Sequence, residues 1–174
     1  MQVMADPVKS AQPVARDKTE RMPEKLLFQG LTPEQLARVA GIIREREVPA
    51  GTTVVHERDY GDVLFVIDEG TVEVRVASPE GDRVIAELRA PTPGEVSFEG
   101  DFFGEMCLLD LEPRCASVVT KEACRLWELN RDDLYWLFGD DKELQLRLLL
   151  TVGRVLSRRL HLVDAPAASG ARGG

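Results

Sequence analysis

The residue types that can do chemistry are concentrated between Gly104 and Arg114. Gly104 allows the backbone to come close to another group because it has no side chain. Glu105 begins a short apolar turn of helix over residues 106–109, and the first N–H groups of such a turn can bind an anion. The Arg114 guanidinium, at the start of a strand, can donate two hydrogen bonds to a phosphate. These groups together indicate a pocket for a ligand with both hydroxyl and phosphate groups.

A simpler explanation uses the same two charged residues, since Glu105 and Arg114 could be an ion pair that braces a loop. Other chemistry finds little support in the sequence. With only His56 and His161, and three cysteines without a close pair, the chain has no Cys/His zinc spacing and predicts no metal site. No nucleophile–base pair is present, so the chain is not expected to be an enzyme and needs no cofactor.

A helix and a series of short strands must position these residues. Thr32, Pro33 and Gln35 have the pattern of a capping box with proline at the first helical position, which predicts a helix with an apolar face up to Ile43. From Val48 the apolar residues recur at every second position, with turn residues between the runs. The predicted strands are Thr52–His56, Val63–Ile67, Thr71–Val76, Arg83–Leu88, Cys115–Thr120 and Cys124–Leu129. Closely spaced strands of this kind favour a sandwich, jelly roll or small barrel.

The C-terminal third is predicted to be helical. Asn130 caps a short helix through Phe138 that Gly139 ends, and Asp140 or Asp141 caps a longer helix to about residue 162. Two apolar stripes run along the longer helix. One contains Leu144, Leu148 and Val155, and the other contains Leu149, Val152, Leu156, Leu160 and Val163. Two stripes suggest that this helix covers a ligand or a partner helix as well as the core.

Length and charge limit the class of protein. The chain has 174 residues, with 22 Lys and Arg against 30 Asp and Glu, for a net charge of −8. The length favours one domain, and the acidic balance argues against binding along a DNA duplex. No apolar stretch can span a bilayer or act as a signal peptide, so a cytoplasmic protein is expected. Residues 1–24 and 164–174 are predicted to be flexible, and residues 25–163 to form the domain.

The spacing of Phe103-Gly104-Glu105-Met106 and Pro113-Arg114-Cys115-Ala116-Ser117 resembles the phosphate-binding cassette of cyclic nucleotide-binding domains. The segments Gly61–Ile67 and Gly70–Val74 resemble early strands and turns of the same family. The resemblance covers about residues 26–163. It implies a mainly β fold with flanking helices: an eight-stranded, jelly-roll-like β-roll with an N-terminal helical segment and two C-terminal helices.

The resemblance also implies a role for individual residues. Arg114 would bind the cyclic phosphate, and Glu105 would accept a hydrogen bond from the ribose 2′-hydroxyl, with Gly104 allowing close contact. Backbone N–H groups of Met106, Cys107, Cys115 and Ala116 would help to bind the phosphate. The apolar side of the pocket would be lined by Val74, Ile85 and Ala86. From the long C-terminal helix, Leu156 and Leu160 are the expected lids over the base.

The same resemblance bears on the choice between cAMP and cGMP, and this sequence departs from the family pattern at two places. A threonine directly after the arginine favours cGMP in the family, but Cys115 is a poor hydrogen-bond donor, so cAMP is favoured here. Arg58 stands where the family often has glycine, so that turn must be built differently. The stretch from Arg89 to Glu99 is longer than in many relatives and is predicted to protrude as a loop.

The functional hypothesis is a stand-alone cyclic nucleotide sensor, because too few residues follow the domain for a DNA-reading unit. Its C-terminal helix would change a contact with an unidentified protein effector, or form a homodimer, when nucleotide binds. Neither DNA nor a membrane is an expected partner. An alternative is a ligand-independent interaction or scaffold module of the same fold with an unoccupied pocket. A third is a redox regulator that uses Cys107 and Cys115.

Overall fold

The computed structural model describes residues 17–92 and 100–164. Their strands are β1 Arg44–Val48, β2 Thr53–Val55, β3 Val63–Glu69, β4 Thr71–Val76, β5 Arg83–Arg89, β6 Phe102–Phe103, β7 Ser117–Thr120 and β8 Cys124–Asn130. These strands pair into two antiparallel sheets of four strands each, in the orders β1-β8-β3-β6 and β2-β7-β4-β5. The helices are α1 Lys18–Arg21, α2 Pro33–Ile42, α3 Arg131–Asp140 and α4 Lys142–Asp164, with 3-10 turns at Met22–Glu24, Leu26–Phe28 and Glu105–Leu108. The expected mainly β fold with flanking helices, an eight-stranded β-roll, is confirmed.

The two sheets bury an apolar layer between them. Its members come from both sheets and include Phe65, Ile67, Val72, Phe103 and Leu126. The rings of Phe65 and Phe103 stack with centroids 4.9 Å apart. This contact holds β6, the strand directly before Gly104, against the central strand β3. The packing of the core therefore determines where the 104–114 segment begins.

Two strands have no counterpart in the sequence prediction. In β1 the exposed run from Arg44 to Glu47 alternates charge instead of polarity, and only Val48 is buried. Because the prediction relied on alternating apolar residues, it had no signal there. The other strand, β6, has two residues, both buried. So short a strand is recognised only by its pairing with β3.

The predicted helix caps are present, and one helix end differs. The Gln35 N–H donates to Thr32 Oγ1 and the Thr32 N–H to Gln35 Oε1, which completes the capping box of α2. Asn130 caps α3, and Asp141 Oδ1 accepts the Leu144 N–H at the start of α4. Gly139, predicted to end α3, lies inside the helix, which continues to Asp140. Its conformation is helical, so it does not provide the left-handed stop that was expected.

Part of the segment that was predicted to be flexible packs against the β-roll. Met22 is completely buried and Lys25 is 3% exposed. The carboxylate of Asp68, on β3, pairs with the side chains of both Arg21 and Lys25. The packed part of the chain therefore begins before residue 25, because Met22 is buried and the Arg21 cation pairs with a buried carboxylate. Residues 1–16 and 165–174, and residues 93–99 of the predicted loop, lie outside the described residues.

The long helix α4 buries one face against a second apolar core, which lies on the outer side of the β1-β8-β3-β6 sheet. That face presents Leu144, Leu148, Val152 and Val155. Leu149 and Leu156 are partly buried against the same core, so most of the second stripe supports packing within the domain. Among the side chains of α4 that the structure describes, the exposed large apolar ones are Leu146, Leu150 and Leu160, at 58%, 48% and 64% exposure. Over the described part of the chain, neither α4 nor any other helix combines the length and apolar character needed to cross a membrane.

Candidate functional site

Ten of the eleven predicted site residues surround one cavity of about 620 Å³. The cavity lies between the β2-β7-β4-β5 sheet and the segment that follows β6. Its lining includes the two charged groups singled out in the sequence, Glu105 and Arg114. The other predicted residues around it are Gly104, Met106, Cys107, Cys115, Ala116, Val74, Ile85 and Ala86. Leu156 is the one that does not line it.

Backbone carbonyl groups hold the Arg114 guanidinium in place. Its Nη1 donates to the Gly104 carbonyl oxygen and its Nη2 donates to the Val63 carbonyl oxygen, each over 2.7 Å. These bonds use two of the five guanidinium N–H groups. The positive charge is not cancelled by either neutral acceptor, so the side chain keeps both charge and donors for an anion in the cavity.

Two glycines make room for that guanidinium. Gly104 has a left-handed φ of 79°, and a Cβ there would lie 2.8 Å from both Arg114 Nη1 and the Val63 carbonyl oxygen. At Gly61 a Cβ would lie 2.6 Å from Arg114 Nη2. Neither distance is compatible with a side chain, so the arginine can lie here only because both positions are glycine.

The turn at Arg58 pairs with Arg114 through the backbone. The Arg58 N–H donates to the Arg114 carbonyl oxygen, and the Arg114 N–H donates to the Asp59 carbonyl oxygen, each over 2.8 Å. Arg58 has a φ of 70°, a left-handed conformation that favours glycine. Where relatives often have glycine, this chain thus makes the turn with a strained arginine, and the turn still anchors the backbone of Arg114.

Glu105 is paired with an arginine from α4. The residue is 5% exposed, and Arg159 Nη1 lies 2.7 Å from its Oε1. The same guanidinium donates from Nη2 to the Phe102 carbonyl oxygen over 2.6 Å and lies over the Phe102 ring. The carboxylate is therefore bound to α4, and the simple brace between Glu105 and Arg114 does not form.

The residue of α4 that lines the cavity is not one of those expected from the sequence. Leu156 packs against the core and Leu160 is exposed, whereas Arg159 lines the cavity. One helical turn separates Val155 from Arg159, so the arginine continues the buried stripe. Extending that stripe by one turn would have located it. The prediction instead followed apolar residues, on the assumption that a lid is hydrophobic.

The cysteines at the cavity give little support to the redox alternative. Burial raises the pKa of the Cys107 thiol, against the opposing effect of the nearby Arg114 charge. A raised pKa disfavours the thiolate that redox chemistry needs. Cys115 is exposed, and all three cysteines are free. Nor does any cluster of three or more His, Cys, Asp or Glu residues suited to a metal ion occur in residues 17–92 and 100–164.

Comparison with known proteins assigns the family. The family described as "Cyclic nucleotide-binding domain" matches residues 45–141, which include seven of the eight strands completely and the whole 104–114 segment. The chain belongs to this family. The sequence-based recognition of the cyclic nucleotide-binding domain family is thereby confirmed.

Two curated relatives of this domain are regulatory proteins by name. The cAMP-dependent protein kinase regulatory subunit of Mycosarcoma maydis is 37% identical over 61% of this chain and 21% of its own length. The CRP-like cAMP-activated global transcriptional regulator of Mycobacterium tuberculosis is 31% identical over 78% of this chain and 55% of its own length. The chain therefore spans about half, or less, of each of these two relatives.

A solved structure agrees with the fold. A cyclic nucleotide-binding domain from Methylobacillus flagellatus is 26% identical and superposes with a TM-score of 0.71, covering 83% of this chain and 79% of the other. The family is a regulatory, ligand-binding one. The cavity that holds Arg114 and Glu105 is accordingly the candidate nucleotide site of the domain.

Proposed function

We propose that this chain is a regulatory sensor that binds a cyclic nucleotide, with cAMP favoured over cGMP, in the cavity between Arg114 and Glu105. The observation that carries the proposal is the position of these two groups in one cavity. Arg114 has spare donors for a phosphate, and Glu105 offers acceptors for a hydroxyl. A cyclic nucleotide presents both kinds of group on one small ring system.

Each end of the cavity suits one part of such a ligand. The guanidinium of Arg114 binds the cyclic phosphate, helped by N–H groups at the start of the Glu105–Leu108 turn. Glu105 accepts the ribose 2′-hydroxyl. The apolar wall of Val74, Ile85 and Ala86 packs against the base.

The preference for cAMP rests on two observations. Cys115, exposed beside Arg114, offers guanine only a weak donor. Relatives at 31% and 37% identity are cAMP-dependent or cAMP-activated by name. The expected order of affinity is therefore cAMP before cGMP.

Signal output is proposed to run through α4. Arg159 connects this helix to Glu105, the carboxylate that the ribose would engage. Binding thus competes with the contact that holds α4 in its present position, and the nucleotide shifts the population of helix positions. A protein effector in the cytoplasm would bind one of these helix positions in preference to the other. The nucleotide would not react chemically, and DNA would not be a partner. That the domain works without an attached effector stays a prediction.

Calorimetric titration of the purified chain with cAMP and cGMP tests the proposal. We expect one nucleotide per chain, with cAMP tighter. Heat from neither nucleotide at millimolar concentration would refute the sensor and leave the alternative, a ligand-independent interaction module. The specific observation that favours this alternative is that Glu105 already has a partner in Arg159.

The homodimer is a second, separate proposal for α4. Leu146, Leu150 and Leu160 are exposed along one helix, and Gly153 has no atoms around it that would prevent close approach. A second copy of α4 is the occupant that would bury these leucines. Sedimentation should show a dimer that Leu150→Glu dissociates and that Leu111→Glu, at an exposed leucine outside α4, leaves intact. A monomer at all concentrations would contradict the dimer but not the nucleotide site.

A further inference from the structure

Asp101 is a completely buried carboxylic acid two residues before Phe103, which lines the cavity. It directly precedes β6, and its Oδ2 accepts the N–H of Leu26 over 3.0 Å. Its Oδ1 has no hydrogen-bond partner within the part of the chain that the structure describes. A buried carboxylate oxygen without a partner is costly when charged, and a proton on that oxygen removes much of the cost.

This side chain connects the N-terminal segment with the nucleotide cavity. Leu26, its hydrogen-bond partner, belongs to the turn that follows the buried Lys25. On the other side, the next residue is Phe102, whose carbonyl accepts Arg159, and Arg159 pairs with Glu105. A change of charge at Asp101 is therefore felt at both ends of this chain of contacts.

The cations that face Asp101 are already engaged by other carboxylates. From the N-terminal segment, Lys25 acts on it electrostatically, but Lys25 Nζ lies 3.3 Å from Asp68 Oδ1. From α4, Arg159 acts on it while it pairs with Glu105. From β3, Asp101 receives only a backbone bond, from the Ile67 N–H to its carbonyl oxygen.

Burial raises the pKa of Asp101 to about 6, although the Leu26 N–H bond and the charges of Lys25 and Arg159 act to lower it. The carboxyl group thus gains and loses its proton near neutral pH. Any loss of positive potential around it raises the pKa further.

We propose that Asp101 takes up a proton from solvent when a cyclic nucleotide binds, so that the affinity of the cavity falls as pH rises. The inference rests on the proposed function. The ligand adds a phosphate anion to the cavity. Its ribose hydroxyl competes with Arg159 for Glu105, and when α4 is released the Arg159 cation moves away from Asp101. Both effects make the surroundings of Asp101 less positive, which raises its pKa, and by linkage a site that gains a proton on binding binds more tightly at lower pH.

The test is cAMP titration calorimetry at pH 6 in two buffers of different ionisation enthalpy, repeated from pH 5.5 to 7.5. The wild-type chain should take up a fraction of a proton, and its affinity should fall by about threefold or more over that range. Asp101→Asn should lose both effects. Asp82→Asn, at an exposed carboxylate before β5, should keep them.

Two outcomes contradict the inference in different ways. If wild type binds cAMP with the same proton uptake and pH dependence as Asp101→Asn, the proton link is wrong and the nucleotide site stands. If wild type binds neither cAMP nor cGMP at any pH, the proposed function fails and the link fails with it. Carbon-13 NMR titration of the Asp101 carboxyl in wild type, with and without cAMP, decides the question even if the variant does not fold. A pKa that rises on binding supports the link, and an unchanged pKa refutes it.

Discussion

Arg159 Nη1 lies 2.7 Å from Glu105 Oε1, which joins α4 to a carboxylate that lines the cavity. The pair is asymmetric, because the Glu105 side chain is 6% exposed and that of Arg159 is 24% exposed. Glu105 therefore depends on the arginine for compensation of its buried charge, whereas Arg159 retains some contact with water. A ligand hydroxyl that donates to Glu105 would replace part of the stabilisation that Arg159 gives the buried carboxylate, and would release α4.

The first prediction concerns the 2′-hydroxyl of the ligand. Wild type should bind cAMP about tenfold or more tightly than 2′-deoxy-cAMP, because a hydrogen bond to a charged group contributes about 1.5–3 kcal/mol. Glu105→Gln should shrink this ratio several-fold, since the acceptor becomes neutral. Glu112→Gln, at an exposed carboxylate of the same cavity, should leave the ratio unchanged. If calorimetry gives the same ratio of the two affinities for wild type and Glu105→Gln, then Glu105 does not bind the ribose 2′-hydroxyl.

The second prediction concerns the stability of the unliganded protein. Arg159→Gln leaves the buried Glu105 carboxylate without its cation and should lower the free energy of unfolding by about 1–3 kcal/mol, less than for a fully buried pair because the arginine is partly exposed. Adding Glu105→Gln to this variant should recover part of the loss, since no charge then remains unpaired. Arg154→Gln, at an exposed site on the same helix, should change stability by less than about 0.5 kcal/mol. Denaturant unfolding of wild type, these three variants and the Glu105→Gln single variant completes the double-mutant cycle, and strict additivity would show that the pair is not coupled.

A third prediction separates the anchored arginine from positive charge in general. Arg114→Ala should weaken cAMP binding by about 2–5 kcal/mol, or about 30-fold and more, because it removes the cation held by the Gly104 and Val63 carbonyl groups. Arg83 lines the same cavity but is exposed, and Arg83→Ala should cost at most about fivefold. Similar losses from both variants would mean that the cavity attracts nucleotide only through its overall charge.

The cassette could be predicted from the sequence because its geometry is local. A glycine, a carboxylate and an arginine within eleven residues are brought together by one turn and one strand, so their spacing contains most of the information. The glycine at 61 escaped notice as a site residue, since its role depends on Arg114 passing 2.6 Å from where a Cβ would be. Nothing in the order of residues indicates that close approach.

Long-range contacts explain the other differences. Arg159 lies 54 residues from Glu105, and which face of α4 points to the cavity depends on how Val155 packs in the core. Leu156, the residue expected at the cavity, and Arg159, the residue that lines it, are less than one helical turn apart on α4. The packing of Arg21 before residue 25 could not be predicted for a similar reason, because its partner is the distant Asp68.

The fourth prediction is a pH dependence of folding stability. Burial raises the pKa of Asp101 to about 6 from an ordinary value of 3.8, so between these values the folded chain holds a proton that the unfolded chain has lost. The contribution of this group is complete below about pH 4 and disappears as pH rises through 6, a change of about 2–3 kcal/mol. The free energy of unfolding of wild type, minus that of Asp101→Asn, should therefore decrease from pH 4 to pH 7. A flat difference would show that Asp101 ionises normally.

The last prediction concerns the glycine that begins the cassette turn. Gly104→Ala places a Cβ 2.8 Å from the Val63 carbonyl oxygen and from Arg114 Nη1, in a backbone conformation with φ of 79°. Relief of the clash must move the arginine or break its carbonyl bonds, so we expect a stability loss of about 1–3 kcal/mol and at least tenfold weaker cAMP binding. Gly139→Ala is the matched control, because its Cβ would meet nothing within 4 Å in the helix α3. There the alanine should raise stability by about 0.5–1 kcal/mol without changing affinity. Thermal unfolding and calorimetry on both variants distinguish a local requirement for glycine at 104 from a general effect of losing a flexible residue.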